Sequence, residues 1–234
     1  MKLKEEFKVD KEVFTKATEK TLYKLANAGY LDVLEGVIST GKEANVFRGK
    51  CRGKYVAVKI YRIETLEFNK LIHYLRGDPR FVVRETKRQM VYTWTRKEYK
   101  NLILAREAGV RVPEPIACRN NVLIMEFIGS EDGVPALPAK YMKPEDPEKW
   151  YKEILDSIKK LYRKRFVHGD ISEYNVLNLN EEPVIIDISQ GVVLDHPMAE
   201  EMLRRDIKNV LRWFKSLGVK TEDFDSVYRW IKNV

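Results

Sequence analysis

Phe14, Thr18, Leu22 and Leu25 share one face of a helix predicted over residues 11 to 28, and Gly29 stands where its C-terminal cap belongs. The hydrophobic period then drops to two. VISTGKEANVFRG and KYVAVKIYR carry alternating or β-branched apolar runs joined by the turn-prone GKCRGK, which predicts paired strands between Val33 and Tyr61. Residues 64 to 90 lose clean periodicity and gather cations, so they read as a long, mobile insertion with a short helix near 68 to 75. Trp94, Glu98, Leu102 and Ala105 restore a helical face over 91 to 108, which VPEP at 112 to 115 terminates. NVLIMEFIG is a buried strand running into a glycine, and VPALPAKYMKPEDPE is a proline-rich connection without regular period. Asp146 and Pro147 supply the N-cap and first position of a helix whose buried stripe is Trp150, Ile154, Ile158, Leu161 and Tyr162. Helices at about 198 to 216, ended by Gly218, and at 222 to 232 complete the chain. Strands dominate the first half and helices the second, with no internal repeat. The expected layout is α+β, with a sheet-rich lobe over residues 1–128, a helical lobe over 129–234 and a nucleotide-sized crevice between them.

Composition narrows the setting. With 44% hydrophobic and 33% charged residues, and no apolar run near the ~18 residues of a membrane span, the 234-residue chain reads as neither disordered nor membrane-embedded. The N-terminal MKLKEEFKVDKEVF has mixed charge and no apolar signal segment. Cys51 and Cys118 stand alone, which fits a reducing compartment and argues against a zinc site, so a cytoplasmic address is expected. The net charge of +8 is compatible with a polyanionic partner such as nucleic acid, a ribonucleoprotein or a phosphorylated ligand, although most Lys and Arg simply solvate surfaces.

The chemistry concentrates in HGDISEYNVLNLNEEPVIIDIS, residues 168 to 189. Asp170 is followed five positions on by Asn175, and twelve further by Asp187 at the end of an apolar strand. Phosphoryl transfer from ATP needs an oxygen base near the attacking group and oxygen ligands for the metal that bridges the phosphates. Protein kinases supply them with H-R-D-x-x-x-x-N and D-F-G; here the spacing is similar, with Gly169 for Arg and Ile188-Ser189 after the metal aspartate. Turn capping by Asp and Asn would explain an isolated D-x4-N. The upstream half of the chain counts against that explanation. VAVKIY places Lys59 on a strand as V-A-I-K does, aimed at the α- and β-phosphates. Glu98, on the inward face of the 91 to 108 helix, is the carboxylate that periodicity favours as its partner, with Glu85 and Glu107 as alternatives. Met125, Glu126 and Ile128 mark a strand-to-linker hinge over 125–128, whose backbone would read an adenine edge.

Gly36 through Lys42 fit the start of a Walker A motif, but Glu43 replaces the required Ser or Thr and a strand follows where a helix should. The reading that remains is a loop laying backbone N–H groups, Ser39, Thr40 and Lys42 over phosphates. Ser172 joins the nucleotide-facing set, yet stands where many kinases carry Lys or Arg, which makes Lys42 the candidate for the γ-phosphate. Asp206 either braces the catalytic loop or is a solvated helix charge. His168 orients backbone, and His73 and His196 receive no role.

STGKEANVF (39–47), AVKIYRIET (57–65), KEYKNL (97–102), MEFIG (125–129), HGDISEYNVL (168–177) and DISQGV (187–192) together resemble the RIO family of atypical protein kinases over nearly the whole chain. The type-one branch fits best, because the 35 residues before Gly36 cannot hold the winged helix of type two, and the compact size resembles an archaeal member. The resemblance implies a bilobal protein-kinase-like fold with a reduced helical C-lobe. It implies ATP with Mg²⁺ or Mn²⁺, Asp170 as base in a catalytic loop over 168–175, and Asn175 and Asp187 as metal ligands, the latter in a loop over 187–189. It further implies serine phosphorylation, including of the chain itself, ATPase activity through Asp187, and work on the maturing small ribosomal subunit, contacting its rRNA through basic surface. Only 47 residues follow Asp187 and no A-P-E appears among them, so an activation segment with a peptide groove is not expected. The competing readings are a small-molecule phosphotransferase of the aminoglycoside kinase type, which shares H-G-D-x4-N, and an ATP-binding ribosome-assembly scaffold.

Overall fold

A computed structural model describes residues 14–233, and the first three positions of the helix expected from residue 11 lie outside them. The chain divides into two compact units. One holds the described residues through Arg76 with Arg80–Tyr99 and Glu114–Pro135, the other Gly77–Pro79, Lys100–Pro113 and the chain from Ala136 onward.

The first unit is built on a five-stranded antiparallel sheet of β1 (Val33–Thr40), β2 (Ala44–Cys51), β3 (Lys54–Tyr61), β4 (Pro115–Arg119) and β5 (Val122–Glu126), in the order β1-β2-β3-β5-β4. Helix α1 (Lys16–Asn27) is capped by Thr15, whose hydroxyl accepts from Thr18 N–H at 3.3 Å, a contact worth about 1 kcal/mol. Leu22 and Leu25 of α1 form one core with Phe47, Val56, Val58, Ile60, Val122 and Ile124. Because strand side chains alternate, a core on that face sends Ala57, Lys59 and Tyr61 to the other. β3 is central, bonded to β2 and β5 on its two edges, and is buried on both faces.

The 64 to 90 stretch is more ordered than its sequence suggests. Helix α2 (Phe68–Leu75) lies where a short helix was expected, and Leu66, Leu71 and Leu75 are buried, which anchors a segment read as mobile. Helix α3 (Lys87–Glu107) begins four residues before the predicted 91. Thr86 Oγ1 accepts from Gln89 N–H at 3.3 Å, an N-terminal cap that the hydrophobic period alone does not register.

In the second unit, helices α4 (Pro147–Arg163), α5 (Ala199–Ser216) and α6 (Phe224–Lys232) accompany short strands. These are β6 (Leu137–Pro138), β8 (Val176–Leu179) and β9 (Glu182–Ile185) in one sheet, and β7 (Phe166–Val167) with β10 (Val192–Val193) in another. Asp146 caps α4 by accepting from Lys149 N–H at 2.9 Å, with Pro147 in the first turn. The α4 stripe of Trp150, Ile154, Ile158 and Leu161 is buried, as are Met202, Ile207, Val210 and Phe214 of α5. Among the described residues, no helix is long and apolar enough to cross a membrane. Cys51 and Cys118 are free thiols, and burial pushes that of Cys118 up to about 12.

Candidate active site

On the β3 face opposite the α1 core, Lys59 Nζ donates to Glu98 Oε1 at 2.7 Å. Tyr61, two residues along and therefore on the same face, donates its hydroxyl to Glu98 Oε2. Lys59 is 7% and Glu98 1% exposed. A buried ion pair persists only when both charges are matched and hydrogen-bonded, and here each carboxylate oxygen has a donor. The pairing selects Glu98 over Glu85 and Glu107. Met125 pairs with Ala57 across β3 and β5 and shares the Lys59 face. Glu126 faces the other way, its Oε2 accepting from Glu114 N–H at 3.1 Å, so its side chain is a strand-end brace. Ile128 is buried. Ser39, Thr40 and Lys42 are exposed at the β1–β2 turn, where Gly41 N–H reaches Asn45 Oδ1 and Thr65 donates to the Lys42 carbonyl.

The second unit assembles the other group. Asn175 Nδ2 donates to the Asp170 carbonyl at 2.8 Å and to its carboxylate Oδ2 at 3.0 Å. The amide orientation this requires commits Nδ2 to Asp170 and leaves Oδ1 pointing away from it. Ser172 contributes its carbonyl, which accepts from Asn175 N–H at 2.9 Å and closes the loop. Ile186, immediately before Asp187, is held at both backbone groups: its N–H donates to the Asn175 carbonyl at 2.9 Å, and its carbonyl lies 3.2 Å from His168 Nε2. His168 Nδ1 accepts from Asp170 N–H at 3.2 Å. His168 therefore ties the 168–175 loop to the residue before Asp187. Hard divalent cations take one or two protein oxygens together with phosphate oxygens and water, and Asp187 with Asn175 Oδ1 fits that donor set.

Behind the loop, α5 grips its backbone with consecutive residues. Asp206 accepts from Gly169 N–H at 2.7 Å and Ile171 N–H at 2.9 Å, while Arg205 Nε donates to the Gly169 carbonyl at 2.8 Å. Gly169 has φ +82°, and a Cβ there would lie 1.9 Å from Met202 Cε, so only glycine fits. Of the two sequence readings of Asp206, the brace is the correct one: it is 1% exposed. Burial pushes its carboxyl up to about 7 against an ordinary 3.8; the two N–H groups and Arg205 pull it down, and the Asp170 carboxylate pushes it up. The native state therefore holds a proton that the unfolded state releases near 3.8. This contribution to stability is full below pH 3.8 and is lost as pH rises through about 7. In urea unfolding, the stability advantage of wild type over Asp206→Asn should shrink by about 2 kcal/mol between pH 5 and pH 8. An advantage that grows with pH would mean a carboxylate ionised throughout.

A lysine on a central antiparallel strand paired with a glutamate of α3, and in the second unit an Asp-x4-Asn loop tied to the residue before an aspartate, are the groups of a phosphotransferase of the protein-kinase-like class. Residues 45–227 match the family described as RIO domain. The RIO-type serine/threonine-protein kinase Rio1 of Haloferax volcanii is 45% identical over 99% of this chain and 80% of its own length, and Rio1 of Methanocaldococcus jannaschii is 40% identical over 98% and 79%. The crystal structure of the Rio2 kinase from Chaetomium thermophilum, an ADP/Mg²⁺-phosphoaspartate complex, matches with a TM-score of 0.69 at 24% identity, over 89% of this chain and 64% of that one. This last likeness is one of fold, and it makes the α+β architecture protein-kinase-like. The chain belongs to the RIO family and is an atypical serine/threonine-protein kinase.

Proposed function

We propose that the chain binds ATP with Mg²⁺, transfers the γ-phosphoryl group to protein serine, including its own, and also hydrolyses ATP. The observation that carries this reading is the Asp170–Asn175 hydrogen bond in a loop whose ends are tied to Ile186, next to Asp187. In this reading Asp170 accepts the proton of the attacking hydroxyl, and its bond to Asn175 fixes the carboxylate so that no reorientation is needed at the moment of transfer. Asn175 Oδ1 and Asp187 would hold the divalent ion, which when bound neutralises charge on the bridged phosphates. Lys59, kept charged and aimed by Glu98 and Tyr61, contacts the α- and β-phosphates. Ser39, Thr40 and Lys42 close over the phosphate chain, and the backbone at 125–128 reads the base.

For hydrolysis, the Asp187 carboxylate attacks the γ-phosphorus, ADP leaves, and water then cleaves the acyl phosphate. The Rio2 complex holds ADP, Mg²⁺ and a phosphoaspartate, and we extend that chemistry to Asp187. The net charge of +8 supports a large polyanionic assembly as the working partner, which we take to be the maturing small ribosomal subunit with its rRNA. RIO membership counts against small-molecule phosphotransfer.

Asp170→Ala tests the assignment of the base. Phosphoserine formation should fall by roughly 10²–10⁴-fold, the range of a general base, while ADP binding persists. Serine labelling at the wild-type rate would remove Asp170 from the role.

A further inference from the structure

Asn101 lies on α3 one turn beyond Glu98 and is fully buried in the second unit. Its Nδ2 donates to the carbonyl of Ile188 at 2.9 Å and to that of Gly191 at 3.1 Å. Those carbonyls bracket the 3₁₀ turn Ile188–Gln190, which directly follows Asp187. The turn is also closed by Gly191 N–H on the Ile188 carbonyl at 3.2 Å, and Ser189 Oγ donates to Asp187 Oδ1 at 3.2 Å. Gly191 is pressed against Phe166, where a Cβ would come within 2.3 Å of the ring. Asp187 itself has φ 58° and ψ 54°, a left-handed conformation that a residue with a Cβ keeps only when its surroundings impose it.

We propose that Asn101 is the positioning residue that imposes it, holding the turn so that Asp187 is set for the divalent ion before the ion arrives. This rests on the reading of Asp187 as metal ligand. Both protons of one amide are spent on two carbonyls three residues apart, which fixes the span of the turn with a single side chain. The other end of that amide has no packing rationale: Asn101 Oδ1 is buried with no hydrogen-bond partner. A buried carbonyl left unsatisfied costs stability, so packing alone would favour leucine at this position. The residue makes sense as a donor.

The test is Asn101→Leu, close in volume and without donors. In calorimetric titrations of ADP, the Mg²⁺ concentration needed for half-maximal enhancement of binding should rise about tenfold or more, with metal-free ADP affinity unchanged. Hydrogen exchange of residues 187–191 in nucleotide-free protein should accelerate. An unchanged Mg²⁺ requirement with unchanged exchange, whatever the melting temperature, would overturn the proposal. Should the variant fail to fold, wild type decides: the Gly191 amide must be protected without Mg²⁺ or nucleotide, and exchange at open-loop rates refutes a preset turn. Asp187→Ala separates the two ideas, because a wrong metal assignment leaves its Mg²⁺ response intact, whereas a wrong role for Asn101 does not.

Discussion

Replacing Asp187 with alanine should erase the difference between ADP binding measured with Mg²⁺ and with chelator, and should lower phosphoryl transfer by at least about 10³-fold. The magnitude follows from the several kcal/mol that a positioned divalent ion supplies to developing phosphoryl charge, about 4 kcal/mol for that factor. Asp187 is proposed to work twice, as ligand and as acceptor of the phosphoryl group, so its loss should remove acyl-phosphate formation together with serine labelling. Folding should survive, because the turn after it is held by Asn101 and by Gly191 N–H, neither of which needs the carboxylate. Retained Mg²⁺ enhancement in the variant would mean that the ion is held elsewhere.

Breaking the Lys59–Glu98 pair should cost stability as well as activity. Lys59→Met takes the cation from a buried carboxylate, and Glu98→Leu takes the carboxylate from a buried ammonium. Each single change should destabilise by about 3–5 kcal/mol, the cost of removing one partner of a buried ion pair. For a chain of this size that is a fall of roughly 10 °C in melting temperature. The double variant Lys59→Met, Glu98→Leu replaces both charges with apolar groups and should recover most of the lost stability. Phosphoryl transfer should stay low in all three, since Lys59 is either gone or has lost the Glu98 carboxylate that aims it. Additive destabilisation in the double variant would show that the two charges are not coupled.

Much of this site is legible in the one-dimensional pattern, and the reason is periodicity. Alternation along VAVKIY puts Lys59 on the face opposite Val58 and Ile60, and the 3.6-residue period puts Glu98 in line with Trp94 and Leu102; each rule alone aims its residue inward. Tyr61 was available from the same alternation, as the residue two beyond Lys59. The early start of α3 was also available, but in Thr86 and Gln89, a capping signal rather than a hydrophobic one. Asn101 was not available. Its partners lie 87 and 90 residues away and are backbone carbonyls, which no side-chain spacing encodes. Asp206 is intermediate: the helical pattern of α5 placed it, and only its burial separated a brace from a surface charge. The two-residue strands β6, β7 and β10 are too short to show alternation at all.

The most direct measurement is to incubate the purified chain with γ-labelled ATP and Mg²⁺ and to follow where the label goes, in wild type, Asp170→Ala and Asp187→Ala. Wild type should carry label both on serine and as an acid-labile acyl phosphate. Asp170→Ala should lose the serine label, and Asp187→Ala should lose both. Serine labelling at wild-type levels in Asp187→Ala would contradict the assignment of the reacting groups.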